Sequence, residues 1–186
     1  MRKIEVSEIE KELNYLITNE IEDVMYCIHK KPLVFRSASN DVVDDYCIQN
    51  NIDVCKSFNM GGTIVANTGD IDMAILLREG WNIGKYFLQH IKKILENKIS
   101  NLTIDGNDLL VDNKYKIISY ASINAKNRLI YTCVHISLNP DIELINNICR
   151  KTMSKIPKGL TDFNISTNNM EEIILKIDYE NLQGEE

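Results

Sequence analysis

Asp105-Gly106-Asn107-Asp108-Leu109-Leu110-Val111-Asp112-Asn113-Lys114-Tyr115-Lys116-Ile117-Ile118 sets a polar Gly-Asn-Asp turn a few residues ahead of one lysine, Lys116, that opens a long apolar run. A lysine is a compact charge on a flexible stem, so it can be aimed only where the backbone around it is fixed. A strand start does this: the apolar run behind Lys116 anchors in a sheet while the ammonium stays at the lip, within reach of a phosphate or carboxylate. An arbitrary lysine at a strand start is ordinarily just solvated. Here the Asn107-Asp108 pair ahead and the apolar strand behind favour a held ammonium, with Lys114 as the reserve if the register slips.

Outward from this stretch, 109–111, 116–122 and 129–138 are predicted strands whose short polar connections suit antiparallel hairpins. Ile83, Phe87, Ile91, Ile94 and Leu95 predict a helix over 81–98 with one apolar face, and Trp81 at its start is expected to anchor in the core. Upstream, a helix over 8–19 precedes a strand over 32–38. A helix through Asn50, capped by Asn40 or Asp41, a strand over 52–56 and a central strand over 71–77 follow. Downstream, 140–153 is a predicted helix, 154–167 a loop, and Asn168 with Glu171 caps a last helix. Helices and strands mix without strict alternation, so the expected class is α+β, with mixed, largely antiparallel sheets and packed helices.

At 186 residues and 44% hydrophobic, the chain supports one well-buried core, and residues 1–186 are expected to form a single domain. A net charge of −6 argues against a general nucleic-acid binder, whose affinity rests on cationic contacts to phosphates. No apolar run approaches a membrane span, and the N-terminus does not resemble a signal peptide. Five scattered cysteines without a Cys-x-x-Cys pair suit reduced thiols in a cytoplasmic protein. His29, His90 and His135 have no metal-ligand spacing, and His135 is expected to be a hydrogen-bonded strand residue. Cys149 is expected to pack in the core.

The segment from Lys56 to Asp72 carries paired glycines, Gly61-Gly62, at the entry to Thr63-Ile64-Val65-Ala66, followed by a Thr68-Gly69-Asp70 turn. Paired glycines let a backbone approach a ligand and aim its N–H groups at an anion. Together with the Asn-Asp turn and its lysine, this order resembles the biotin and lipoate protein ligase family, over residues 32 to 168. The resemblance implies the family's class II synthetase-like catalytic domain. It further implies ATP-dependent attachment of lipoate, or a related acid such as octanoate, to a lysine of an acceptor-domain protein. Lys116 would stabilise the acyl-adenylate as the catalytic residue. Lys56, Gly61, Gly62, Thr63, Asn107, Asp108 and Lys158 would line the acyl and nucleotide site, with Asp108 as a candidate Mg2+ ligand. The chain departs from the family where Lys56-Ser57 replaces an arginine pair, Asn59-Met60 a serine and a glycine, and Ala66 a histidine.

Lys158-Gly159 matches the lysine-glycine pair of lipoate-protein ligases, whereas related octanoyltransferases carry a nucleophilic cysteine there. Without that thiol the carboxylate must be activated otherwise, and the family uses ATP. Three alternatives stay open: a biotin protein ligase, a lipoyl or octanoyl transferase of a pre-activated group, and a non-catalytic member that binds a small acid, nucleotide or protein. No accessory C-terminal domain is expected within the chain, so a full ligase would call on an accessory-domain partner chain.

Overall fold

The computed structural model describes residues 1–36, 42–55, 62–150, 155–179 and 181–182. In chain order the elements are β1 (Arg2–Lys3), α1 (Ile9–Asn19), β2 (Asp23–Ile28), β3 (Leu33–Phe35), α2 (Asp44–Gln49), β4 (Asp53–Cys55), β5 (Ile64–Ala66) and β6 (Ile71–Arg78). They continue with α3 (Ile83–Leu95), β7 (Leu102–Asp105), β8 (Asp108–Val111), β9 (Tyr115–Lys126), β10 (Leu129–Ile136), α4 (Ile142–Ile148), β11 (Ile156–Pro157) and α5 (Thr167–Leu175). The larger sheet runs β1-β2-β6-β10-β9-β8-β7, with β11 alongside β9, and the smaller runs β4-β3-β5. Most pairs are antiparallel, and β1–β2, β3–β4 and β9–β11 are parallel. The expected α+β class is the observed one.

Turn chemistry makes the hairpins. Gly106, at φ +59°, and Asn107 form the two-residue loop that pairs Asp105 with Asp108. A positive φ at the first of two loop positions is the type II′ pattern, whose twist matches the strands it joins. Asn127 and Arg128, at φ +44° and +67°, join β9 to β10 in the I′ manner. Asparagine tolerates this left-handed region better than most residues.

Alternation along the strands divides the core. One face of the large sheet, with Ile71, Met73, Ile75, Leu109 and Val134, packs on α3 through Ile83, Phe87, Leu88 and Ile91, and on α5 through Met170 and Ile174. The other face, with Met25, Ala74, Leu76, Tyr131 and Cys133, packs on α1 and on Phe35 and Ala66 of the small sheet. A third cluster joins the small sheet to α2 and α4 through Val34, Cys47, Val65, Ile145 and Ile148. Gly84 on α3 is a close-approach position, since a Cβ there would stand 2.2 Å from the Tyr120 ring. Among the described residues no helix is long and apolar enough to cross a membrane.

Several expectations are corrected. No element is expected over 20–31, yet β2 is the strand beside β6; its Asp-Val-Met-Tyr-Cys-Ile is buried on both faces and so shows no alternation. The short strand β7 is likewise unexpected from sequence. The helix expected over 140–153 spans Ile142–Ile148 with Asp141 as its N-cap, because Cys149 is extended and bridges to Val42. Ser166, not Asn168, caps α5, in a capping box with Asn169, and Glu171 instead accepts a hydrogen bond from Tyr26 at 2.7 Å. Trp81 is 54% exposed, so it anchors nothing in the core. Asn40 and Asp41 lie outside the described residues, and Val43 caps α2. All five cysteines are free thiols.

The stretch after β11 is tied to the end of β10 by Leu160 N–H to Ser137 O at 3.1 Å and Thr161 N–H to Leu138 O at 3.0 Å. Gly159 permits this, because a Cβ there would stand 2.3 Å from the Leu138 carbonyl oxygen. Gly159→Ala should therefore lower the free energy of unfolding by about 1–3 kcal/mol in urea titrations. An unchanged midpoint would contradict this close approach.

Candidate functional site

Strand register builds a row of polar side chains across one face of the large sheet. Asp108 pairs with Ser119, Ser119 with His135, His135 with Asp72, and Asp72 with Cys27, so β8, β9, β10, β6 and β2 each place one polar side chain on that face. Directly opposed residues share a face and lie close enough to interact. Lys116 joins the row through an irregularity. Leu109 opposes Ile118 while Leu110 opposes Lys116, which leaves Ile117 as an inserted bulge residue. The bulge shifts the alternation by one, so Lys116 shares its face with Ser119 and Ala121, and Ile118 and Tyr120 turn toward α3.

This face walls a cavity of about 250 Å³ with Gly62, Thr63 and Ile64 on its far side and Asn107, Asp108, Lys116, Ser119, Asp72 and His135 on the sheet side. A narrower recess of about 70 Å³ shares Thr63, Lys116, Ser119 and His135 and extends to Ser137, Ile145 and Cys149. Larger clefts occur elsewhere, one of about 610 Å³ between α3 and β7. Convergent charge and polar groups, not size, mark the smaller cavity as the candidate site.

The expected residues fare differently. Lys116, Asn107, Asp108, Gly62 and Thr63 are brought together around the cavity. A Cβ at Gly62 would meet nothing within 4 Å, so no packing among the described residues requires glycine there. Lys56 and Gly61 lie outside the described residues. Lys158 does not line the cavity; its ammonium lies 5.0 Å from the Tyr115 ring centre and 4.7 Å from that of Phe163. Tyr115 packs against the α3 core, so Lys158 projects to the face opposite Lys116. Lys158 reaches the site through its backbone, donating its N–H to the Lys116 carbonyl at 2.9 Å.

Asp108 is held by cations. Lys155 lies 2.7 Å from its Oδ2 and 2.9 Å from Asp105 Oδ2, and Lys116 stands 4.0 Å from Oδ1. Hydrogen bonding to Asp108 raises the Lys155 pKa from its ordinary value. Magnesium prefers free carboxylate and water oxygens. Asp108 is paired with Lys155, so a magnesium ion would bind it only by displacing that ammonium.

Behind the cavity, Asp72 is fully buried between two imidazoles. His29 Nε2 lies 2.5 Å from its Oδ2 and His135 Nδ1 lies 2.8 Å from its Oδ1. Burial alone would raise the Asp72 pKa, but the two imidazoles outweigh it and hold the carboxyl well below the usual range. For His135, burial opposes the charged form, and the contact with Asp72, supported by Asp70, overcomes it and raises the pKa against the opposing pull of Lys116. Cys27, His29 and Asp72 bring possible metal-ligand atoms within 4.8 Å of one another. Two ligands of one zinc ion would stand about 3.3 Å apart, so the 2.5 Å His29–Asp72 separation is that of a hydrogen bond. Burial also pushes the Cys27 thiol up, which disfavours the thiolate.

Sequence reasoning singled out neither Asp72 nor His135 as a site residue. The signal was present: an aspartate inside the otherwise apolar Ile71–Leu77 run must find a partner if it is buried. Asp70, by contrast, is a structural group. Its Oδ1 accepts from Leu138 N–H at 2.7 Å and its Oδ2 from Asn67 N–H at 2.8 Å.

Solved structures share this fold at low sequence identity. Plasmodium falciparum LipL1, solved with lipoate, matches with a TM-score of 0.73 and 14% identity, over 95% of this chain and 58% of its own length. An archaeal bipartite lipoate protein ligase from Thermoplasma acidophilum, described with its E2 lipoyl domain, matches with a TM-score of 0.74 and 12% identity over 94% of this chain and 80% of its own. Lipoate-protein ligase A bound with ATP gives 0.70 and 13%, with 94% and 80% covered. No protein-family model matches the chain, and no curated protein matches it in sequence. The chain has the fold of these lipoate-protein ligase structures.

The histidine–aspartate contact has a pH signature. A raised His135 pKa stabilises the fold fully below about 6.5, the free imidazole value, and that contribution is lost as pH rises through the raised value. The lowered Asp72 pKa contributes above the ordinary carboxylate range and is lost only at acid pH. Urea midpoints followed from about pH 5 to about pH 9 should therefore fall above about pH 6.5, and His135→Gln should lack that fall. Equal slopes in the two proteins would contradict the contact.

Proposed function

We propose that this chain is an acyl-adenylate ligase or transferase that attaches lipoate, or a related acid such as octanoate, to a lysine of an acceptor-domain protein. The observation that carries this reading is the bulge that turns Lys116 into the cavity beside the Asn107-Asp108 turn. The fold supports it, since proteins of this architecture have been solved with lipoate and with ATP, and one is described with an E2 lipoyl domain.

In this mechanism an oxygen of the acid attacks the α-phosphorus of ATP, and pyrophosphate leaves with the electron pair of the broken P–O bond. The acceptor amine then attacks the acyl carbonyl, a C–N bond forms, and AMP departs. Lys116, fixed at the start of β9, would offset the negative charge gathering on the carboxylate and α-phosphate. Thr63 and the open backbone at Gly62 face it across the cavity, where an acyl-phosphate group would lie. Asn107, in the turn beside Asp108, would orient the nucleotide.

A second reading, a non-catalytic domain that binds a small acid or nucleotide, is favoured by one position. Ala66 stands where the resembling pattern carries histidine, and it is wholly buried in the core, so it offers the cavity no polar group.

The test mixes purified protein with ATP, magnesium, a lipoyl acceptor domain and, separately, lipoate, octanoate or biotin, and weighs the acceptor by mass spectrometry. The expected result is the mass increase of lipoate or octanoate, with Lys116→Ala reducing the rate by about 10²- to 10³-fold. No product with any acid, also when acyl-AMP is supplied, would overturn the ligase reading.

A further inference from the structure

We propose that His135, aligned by Asp72, is a second catalytic residue of this site, the base that takes the proton from the acceptor amine during acyl transfer. This rests on the ligase reading above and adds a residue and a step to it.

The geometry fixes which nitrogen is available. A carboxylate can only accept, so the 2.8 Å contact puts a proton on His135 Nδ1, donated to Asp72 Oδ1. Asp72 cannot swing away, because His29 occupies its other oxygen at 2.5 Å and the carboxylate is fully buried. His135 Nε2 lies between Ser137, whose Oγ is 3.3 Å away, and Asp70, whose Oδ2 is 3.7 Å away, and His135 lines both the cavity and its recess next to Lys116. A histidine held through one nitrogen by a buried carboxylate, in a side chain that lines a cavity, is the arrangement of a positioned general base.

The chemistry calls for such a group. A lysine amine, with a pKa near 10.4, is protonated at neutral pH and must lose protons to attack and to leave an amide. Other carboxylates around the site are taken: Asp108 by Lys155, and Asp70 by the backbone N–H groups of Leu138 and Asn67. The charged or titratable groups around His135 are Asp70 and Asp72 from β6 and its entry, Lys116 from β9, Cys133 from its own strand, and Cys27 and His29 beyond Asp72. In the step, the amine nitrogen forms a bond to the acyl carbon and the carbon–oxygen bond to AMP breaks, its electron pair leaving on the phosphate. The amine proton passes to His135 Nε2 and from there to solvent. No oxidant or reductant is involved.

The experiment supplies lipoyl-AMP and octanoyl-AMP to the wild-type protein, His135→Gln and Asp72→Asn, with two acceptors, a lipoyl domain and hydroxylamine. Hydroxylamine is largely unprotonated at neutral pH, so unlike lysine it needs no base to become a nucleophile. The expected result is a loss of about 100-fold or more in transfer to the lysine in His135→Gln, with hydroxylamine acylation kept within about threefold of wild type. The lysine deficit should shrink as pH is raised toward the amine pKa. In Asp72→Asn the acid limb of the pH–rate profile should move to lower pH, because the carboxylate that favours the imidazolium is gone. Wild-type rates to lysine in His135→Gln would overturn the proposal, as would equal losses with both acceptors, which would make His135 only structural. Failure of the wild-type protein with every acceptor would instead sink the ligase reading and this step with it.

Discussion

A carboxylate buried in the middle of a sheet is the constraint on which this molecule turns. Asp72 sits on β6, with β2 on one side and β10 on the other, and an unpaired charge there would cost several kcal/mol. His29 and His135 supply the partners, one from the end of β2 and one from β10, and each uses one carboxylate oxygen. That pairing depends on register. A one-residue slip of β10 against β6 would turn His135 to the α3 face and leave Asp72 alone. The same register carries on to Ser119 and Asp108, so the condition that satisfies the buried aspartate also lines up the polar face of the cavity.

Much of the architecture was legible because local chemistry and global fold agree. The apolar stripe of α3, the paired hairpins from β8 to β10 and the central strand β6 all follow from periodicity and turn residues. What escaped had a physical reason. β2 is buried on both faces and shows no alternation, so nothing in Asp23–Ile28 separates it from a helix segment. The cap of α5 slipped by two positions because Ser166 and Asn169 form the reciprocal pair while Glu171 is drawn to Tyr26 and Lys3. Trp81 met no core because Ile83, two residues further on, already begins the buried face of α3.

At the site, the lysine was legible and its reason for pointing inward was not. Lys116 announced itself by standing between a polar turn and an apolar strand, but only the Ile117 bulge decides which face it takes. Lys158 shows the converse: a matching motif in sequence, and an ammonium that rests on Tyr115 and Phe163 across the sheet. Its neighbour Gly159 has the firmer role, letting the chain lie against Leu138 and hold the Lys116 backbone from behind. The polar row from Asp108 to Cys27 could not be read from any one segment, since it exists only across five strands. A charged residue inside each of two apolar runs, Asp72 and His135, was its trace in the sequence.

The central claim is that the face carrying Lys116, Ser119 and His135 is the surface that receives an acyl-adenylate. The most direct measurement is an NMR titration of isotopically labelled protein with a non-hydrolysable mimic of lipoyl-AMP, following backbone amides together with the Lys116 ammonium and His135 ring signals. The account expects saturable shifts centred on Gly62, Thr63, Lys116, Ser119 and His135. Shifts confined to the larger cleft at Tyr86 and His90, or none at all, would contradict it.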